Sequence, residues 1–177
     1  LFDKDSSTPL WNYTTGGVVW SIAISADGEY ITASSNDNKV YLFDKDSSTP
    51  LWNYTTGDLV NSVTISADGE YIAAGSNDNK IYFFSKNSST PLWNYTTGNY
   101  VYSVDISVDG GYIAASSYDE VYLFDKDSST PLWNYTTGGT VWSVAISADG
   151  EYIAANSNDK KVYLFDKDSS TPLWNYT

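Results

Sequence analysis

The nine-residue phrase SSTPLWNYT recurs along the chain, so the sequence is built from copies of one unit. Its proline stands at Pro9, Pro50, Pro91, Pro131 and Pro172, with spacings of 41, 41, 40 and 41 residues. Residues 1–14 are identical to residues 164–177, so the chain holds four full units and a leading part of a fifth. A period of this length predicts stacked supersecondary units that bury a core between neighbours.

Each unit contains four short runs of β-branched and aromatic residues separated by turn residues, a pattern typical of strands. In the first full unit we expect strands A to D at residues 18–25, 29–34, 39–45 and 50–56. Asp27-Gly28 and Asn36-Asp37-Asn38 have the turn chemistry of tight hairpins. Each unit is therefore predicted to be a four-stranded antiparallel meander, and the leading residues 1–14 a hairpin of strands C and D, which makes eighteen strands.

The strands are apolar on both faces. In strand C, Val40 and Leu42 point to one side of the sheet, while Tyr41 and Phe43 point to the other. Such a sheet needs a neighbour on each face, and sheets stacked around an axis supply both. We therefore expect an all-β fold of β-propeller blades, four full blades and a leading C–D hairpin, divided as 1–17, 18–56, 57–97, 98–137 and 138–177.

Two segments resemble known repeat families. Residues 141–166, from VWSVAISADG through VYLFD, are similar to a WD-repeat blade, although Phe165-Asp166 replaces Trp-Asp and the Gly-His element is missing. Residues 42–54, LFDKDSSTPLWNY, resemble the repeat of pyrroloquinoline-quinone-type propellers. The resemblance implies a propeller in which the tryptophan of the phrase docks between blades, and it raises a quinone-cofactor dehydrogenase as one possible activity.

Composition excludes most enzyme classes. The chain has no Cys and no His, which removes thiol nucleophiles, Ser-His-Asp arrangements and the usual zinc ligands. We expect a protein that is not an enzyme, with no cofactor and no metal. A net charge of −13 without any arginine disfavours nucleic acid, and no apolar run is long enough for membrane insertion.

Asparagines in N-x-S/T sequons recur on the predicted outer strand and once in a turn. They are candidate glycosylation sites and suggest an exported, extracellular or cell-surface glycoprotein. The asparagines are Asn12, Asn53, Asn87, Asn94, Asn134 and Asn175.

Aspartates spaced as D-x-D open the C–D turn in most units, at Asp3/Asp5, Asp44/Asp46, Asp125/Asp127 and Asp166/Asp168. The turns lack the Gly and the terminal Glu of a calcium loop, so we interpret them as hairpin turns with polar caps. The recurring Trp11, Trp52, Trp93, Trp133 and Trp174 fit packing between blades better than sugar platforms.

The units differ from one another mainly at the D–A junction, the start of strand A and the B–C loop, which lie at one end of a meander. A recognition surface on a constant scaffold would vary in this way, and so would unconstrained drift. The candidate ligand-binding residues are Trp20, Asn61, Tyr102, Trp142, Tyr100, Asp105 and Tyr118.

The leading functional hypothesis is a non-catalytic binding or scaffold propeller at the cell surface that recognises a protein or a carbohydrate. Four blades and a leading hairpin do not make the seven- or eight-bladed ring that WD-like blades of this size usually form, and open blade faces expose apolar surface. We therefore expect self-association, with two copies giving about eight blades, or a longer repeat chain.

Overall fold

A computed structural model describes Leu1 and residues 5–177, and this part of the chain consists of strands and turns without a helix. It contains sixteen strands: β1 (Val19–Ile24), β2 (Tyr30–Ser35), β3 (Lys39–Asp44), β4 (Trp52–Thr55), β5 (Val60–Ile65), β6 (Tyr71–Ser76), β7 (Lys80–Ser85), β8 (Trp93–Thr96), β9 (Val101–Ile106), β10 (Tyr112–Ser117), β11 (Glu120–Asp125), β12 (Trp133–Thr136), β13 (Val141–Ile146), β14 (Tyr152–Ser157), β15 (Lys161–Asp166) and β16 (Trp174–Tyr176).

Every four consecutive strands form one antiparallel sheet, so each blade is a meander of strands A, B, C and D. In the first blade, Ile31 of strand B pairs with Phe43 of strand C, and Leu42 pairs with Trp52 of strand D. The expected fold class is confirmed, and the strand ends differ from the expected ones by one or two residues.

Glycine is required in the A–B turn for two reasons. Gly69 has a φ of 73°, which favours glycine, and a Cβ at this position would lie 2.5 Å from the Tyr30 ring of the preceding blade. The turn therefore packs directly onto its neighbour.

Apolar side chains of adjacent blades form the core. Between blades 1 and 2, Val40 and Leu42 pack against Val63, Ile65 and Phe84 of the next blade. Equivalent clusters join blades 2 to 3 and 3 to 4. Because each sheet is covered by the next, both faces of the internal strands are buried, as the apolar pattern predicted.

The tryptophan of the repeated phrase bridges two blades. The Trp52 ring lies 5.3 Å from Phe84 of the next blade, and its Nε1 donates to the Lys86 carbonyl oxygen at 2.7 Å. Trp93 and Trp133 do the same with Lys126 and Lys167. Packing between blades is thus the confirmed interpretation of these residues.

The leading segment is not the hairpin that the repeat predicted. Its expected strand C falls partly on residues 2–4, outside the described residues, and its strand D, 9–14, is not a strand apart from a single bridge at Pro9. In the last unit strand D pairs with strand C through Val162↔Tyr176 and Tyr163↔Asn175. In the leading segment Leu1 hydrogen-bonds to the backbone of Leu10 and Trp11, and the described residues contain sixteen strands and not eighteen.

Candidate functional site

The D–A and B–C loops of a blade contact each other at one end of the sheet. The backbone N of Gly57 donates to Asp78 Oδ2 at 2.7 Å, and Gly16 and Gly138 donate in the same way to Asp37 and Asp159. We call this end the variable face; it comprises residues 15–20, 36–38, 56–61, 77–79, 97–102, 118–119, 137–142 and 158–160. The two loops share one end of the sheet, as the meander pattern predicted.

The aspartate of the B–C loop fixes this end. Asp78 also accepts from the Tyr82 hydroxyl at 2.5 Å and from the Lys80 backbone N at 3.1 Å. Burial and the neighbouring Asp78 carboxylate raise the pKa of Tyr82, so the hydroxyl remains a donor. One carboxylate therefore joins the D–A loop, the B–C loop and strand C.

Blade 3 departs from this arrangement because its B–C loop is one residue shorter. Tyr122 donates to Glu120 instead, and Asn134 Nδ2 donates to the other oxygen of that carboxylate at 3.0 Å. Tyr118 lies in this tight turn with a φ of 44°, and it is 47% exposed. The shortened loop thus presents an aromatic ring to solvent from a strained backbone position.

Two candidate tryptophans lie on the variable face, and the indole N–H of each donates a hydrogen bond to the B–C loop. Trp20 and Trp142 are 57% and 52% exposed. Trp142 Nε1 donates to Asn158 Oδ1 at 2.8 Å, and Trp20 Nε1 donates to Asn36. Their ring faces are therefore oriented while they remain open to solvent.

The candidates are only partly brought together. Tyr102 lies against Trp142 of the next blade, with ring centroids 5.0 Å apart, and Tyr100 on the same blade is 45% exposed. Asn61 is half-buried, and its Nδ2 donates to Asn77 Oδ1 at 2.7 Å and to the Val101 carbonyl at 2.8 Å. The amide of Asn61 therefore fastens blade 2 to blade 3.

Asp105 lies near the other end of strand A, away from the variable face. Its oxygens accept from the backbone N atoms of Ile106 and, in the next blade, Ile146, both at 2.9 Å. Burial raises the pKa of this carboxyl, against the opposing effect of these amides and of Thr64. The geometry makes Asp105 a link between blades 2, 3 and 4.

Sequence reasoning missed a second inter-blade link. The strand A serines accept from a backbone N of the next blade: Ser62 from Val104 at 3.2 Å and Ser103 from Val144 at 3.3 Å. The signal was present, since this serine occurs in every unit although its neighbours vary.

The D-x-D turns have the capped geometry that was expected. Asp44 Oδ1 accepts from the backbone N of Asp46 at 2.8 Å, and Asp125 and Asp166 accept equivalently. Asp3 lies outside the described residues. Each first aspartate therefore stabilises its own turn.

The asparagine side chains of the six sequons are all exposed. Asn53, Asn94 and Asn134 lie on strand D, the last strand in the order of each sheet. Their glycosylation stays a prediction. Within the described residues no helix is long and apolar enough to span a membrane.

The comparisons with known proteins identify the repeat. No curated protein gives a significant match to the chain. A family model described as outer membrane protein assembly factor BamB matches residues 1–176. Because this match covers nearly the whole chain, the chain belongs to this family of pyrroloquinoline-quinone-like β-propeller repeats.

Proposed function

We propose that the protein is a non-catalytic scaffold that recognises another macromolecule through its variable face. The observation that carries the proposal is the contrast within each blade. The Tyr and Phe of strand C and the Trp of strand D, which pack between blades, are the same in every unit, whereas the exposed aromatic residues Trp20, Tyr100, Tyr118 and Trp142 lie where the units differ. Oriented aromatic rings on a rigid scaffold supply contact area at a small entropic cost.

A protein is the partner that we favour. The matching family model is described as an outer membrane protein assembly factor, a description that names a role in the assembly of other proteins. The aromatic residues of the variable face are of the types that dominate protein–protein hot spots. The same description and the exposed sequons support a location at the cell envelope or cell surface.

A carbohydrate is the second candidate because of one specific contact. Tyr102 and Trp142 form a composite aromatic platform across the joint of blades 3 and 4. Asn158 lies at its edge, and its side-chain oxygen is held by the indole of Trp142. An aromatic face with an amide beside it suits a sugar ring.

A binding comparison tests both candidates. The full chain is probed on a random-sequence peptide array and on a glycan array, together with a variable-face variant, Trp20→Ala, Tyr100→Ala and Trp142→Ala. We expect peptide binding that falls at least about tenfold in this variant, because rigid aromatic anchors carry most of the binding energy. Binding to the glycan array alone would favour the carbohydrate candidate.

The control removes exposed apolar side chains from the opposite end of the blades. It is the variant Leu51→Ala, Leu92→Ala and Leu132→Ala. These leucines are about as exposed as the three aromatic residues that the variable-face variant removes. Binding that survives in the variable-face variant, or that is lost equally in the control, would contradict the proposal.

Glycosylation is tested separately by peptide mass mapping. In protein purified from its natural host, peptides that contain the sequons should exceed their unmodified masses by whole glycan units. Unmodified masses for all of these peptides would refute the use of the sequons.

A quinone-cofactor dehydrogenase is the alternative that the residues do not fit. Such a cofactor carries several carboxylates and needs cations and calcium-ligating acids around it. Strand A of every blade lacks Lys and Arg, and Asp105, the half-buried acid in strand A of blade 3, is engaged by backbone amides. The described residues contain no group of three or more acids placed to hold a metal ion.

A further inference from the structure

The first blade has an uncovered apolar face. In blade 2 the face that receives the preceding blade buries Val60, Val63 and Ile65 to 7% exposure or less. The equivalent residues of blade 1 are Val19, Ile22 and Ile24, which are 45%, 70% and 56% exposed. They line an apolar groove of about 620 Å³ together with Leu1, Trp11 and Phe43.

The last blade has the complementary uncovered face. Val40 and Leu42 of blade 1 are fully buried against blade 2, whereas the equivalent Val162 of blade 4 is 45% exposed. Tyr152 and Trp174 on the same face are 47% and 50% exposed. One chain thus carries both halves of the interface that it uses three times internally, and both halves are open.

The leading segment occupies part of the groove in blade 1. Trp11 lies 5.5 Å from Phe43, and its Nε1 donates to the Lys45 carbonyl at 2.6 Å. This is the position that the strand D tryptophan of a preceding blade takes at every internal joint. Trp174 belongs to a segment, 164–177, whose sequence is identical to that of residues 1–14.

We propose that two copies of this chain join head to tail into a closed ring, with blade 4 of each copy covering the groove of blade 1 of the other. Residues 164–177 of one copy replace residues 1–14 of the other, and Trp174 takes the seat of Trp11. A second copy is the occupant because the groove and the face of blade 4 repeat the two sides of an interface already present three times in this chain.

The energetics favour this exchange. Replacing a segment by an identical one is nearly neutral, as in domain swapping. The gain comes from apolar surface that only the assembly buries, above all Ile22 and Ile24 against Val162. The joint also gains a cation–π contact, since Tyr152 meets Lys45 of the other copy as Tyr30 meets Lys86 at 4.8 Å internally.

The number of copies follows from ring size. Propellers typically close with about four to eight blades. The four blades of one chain leave both end faces exposed. Two chains give about eight blades, and three would exceed the usual range, so the dimer is the closed assembly.

Sedimentation equilibrium with two variants of identical composition tests the exchange. The full chain should have twice the mass of the 19.5 kDa monomer. Trp11→Ala with Tyr13→Ala loosens the leading segment and should lower the dimer dissociation constant at least about tenfold. Trp174→Ala with Tyr176→Ala removes the same side chains from the incoming segment and should raise it by at least as much. If both double variants raised the dimer dissociation constant, or both lowered it, the exchange would be overturned.

A charge placed in the joint gives an independent test. Val162→Asp should dissociate the dimer, because it buries an unpaired carboxylate, and it leaves the monomer folded since Val162 is exposed there. Val108→Asp adds the same charge at a site that is 51% exposed and outside the joint, and it should leave the dimer intact. A full-length chain that stays monomeric, a dimer that tolerates Val162→Asp, or a ladder of larger species would each overturn the proposal.

Discussion

Asp105 shows how a single residue change between units alters one blade joint. The equivalent positions hold Ala23, Thr64 and Ala145, none of which carries a charge. The Asp105 carboxylate accepts from the backbone N of Ile106 in its own strand and from that of Ile146 across the joint, at the cost of burying a charge. Its contribution to stability should therefore depend on pH.

Asp105→Asn should flatten part of that dependence. Burial raises the native pKa of Asp105 above the ordinary 3.8, so between these two values the native chain binds more protons than the unfolded chain. The free energy of unfolding of the wild type therefore falls as pH rises through this window, and the variant lacks this fall. Urea unfolding from about pH 4 to pH 7 should show the stability difference shifting in favour of the variant.

Asp109→Asn is the matched control with the opposite sign. Hydrogen bonds from Gly111 and Ser107 lower the pKa of Asp109, so its stabilisation is present above 3.8 and is lost as pH falls through the native value. The variant should be weaker than the wild type at pH 7 and approach it in acid. If the free energy of unfolding changed with pH in the same way in both variants, the opposite pKa shifts assigned to Asp105 and Asp109 would be contradicted.

Tyr118 is predicted to store backbone strain. The other units place Asn38, Asn79 and Lys160 in the left-handed region, and of these residue types asparagine is tolerated there better than tyrosine. Tyr118→Asn should raise the free energy of unfolding by up to about 1 kcal/mol. Tyr100→Asn, an equally exposed site, should change it by less than about 0.5 kcal/mol. If chemical denaturation gave the same change in the free energy of unfolding for both variants, backbone strain at Tyr118 would be refuted.

At the level of the strands, the tryptophan of strand D connects neighbouring sheets. Trp93 stacks on Phe83 at 5.0 Å, lies 5.4 Å from Phe124 of the next blade and donates to the Lys126 carbonyl at 2.8 Å. It is thus shared by two blades.

Trp93→Ala should destabilise the chain by about 3 kcal/mol or more, because it removes a packed aromatic side chain and its hydrogen bond. Trp20→Ala deletes the same side chain from an exposed site and should cost less than about 1 kcal/mol. Thermal unfolding of both variants measures the difference. Equal losses would show that the bridge does not hold the blades together.

The strands were predictable because their limits are set by local chemistry. Gly28 and Asn38 supply the positive φ angles that hairpins need, and the apolar runs between such turns are short. The leading segment was not predictable in this way, because residues 9–14 have the same sequence as residues 172–177 but form no strand apart from a bridge at Pro9, so local sequence alone does not decide strand D. The division into blades at 18–56, 57–97, 98–137 and 138–177 remains our proposal.

The place of the candidate residues within the blade was partly predictable, whereas the partners of their side chains were not. Comparison of the units correctly placed Trp20 and Trp142 at the end where the D–A and B–C loops meet. It also grouped Asn61 and Asp105 with them, although both are engaged between blades. A sequence difference marks where units diverge, whereas a side chain's partners depend on how the next blade packs.

At the scale of the whole molecule, the repeat makes the chain self-complementary. Every internal joint uses equivalent surfaces of the repeat, and the proposed dimer would pair the two exposed end surfaces in the same way. A closed dimer would set two sets of variable-face loops around one end of a single ring. The proposed recognition and the proposed assembly would then be linked through one repeated unit.

Disulfide crosslinking measures this closure directly, because the natural chain contains no cysteine. At the joint of blades 2 and 3, a Cβ on Gly75 would lie 3.2 Å from Val101 Cβ, close to disulfide spacing. The equivalent residues across the open ends are Asn156 and Val19. Oxidation of the Asn156→Cys, Val19→Cys double variant should give a covalent dimer on a non-reducing gel. An internal disulfide in a monomer would show a closed four-bladed ring, and free thiols would show that the ends do not meet, so either result would contradict the assembly.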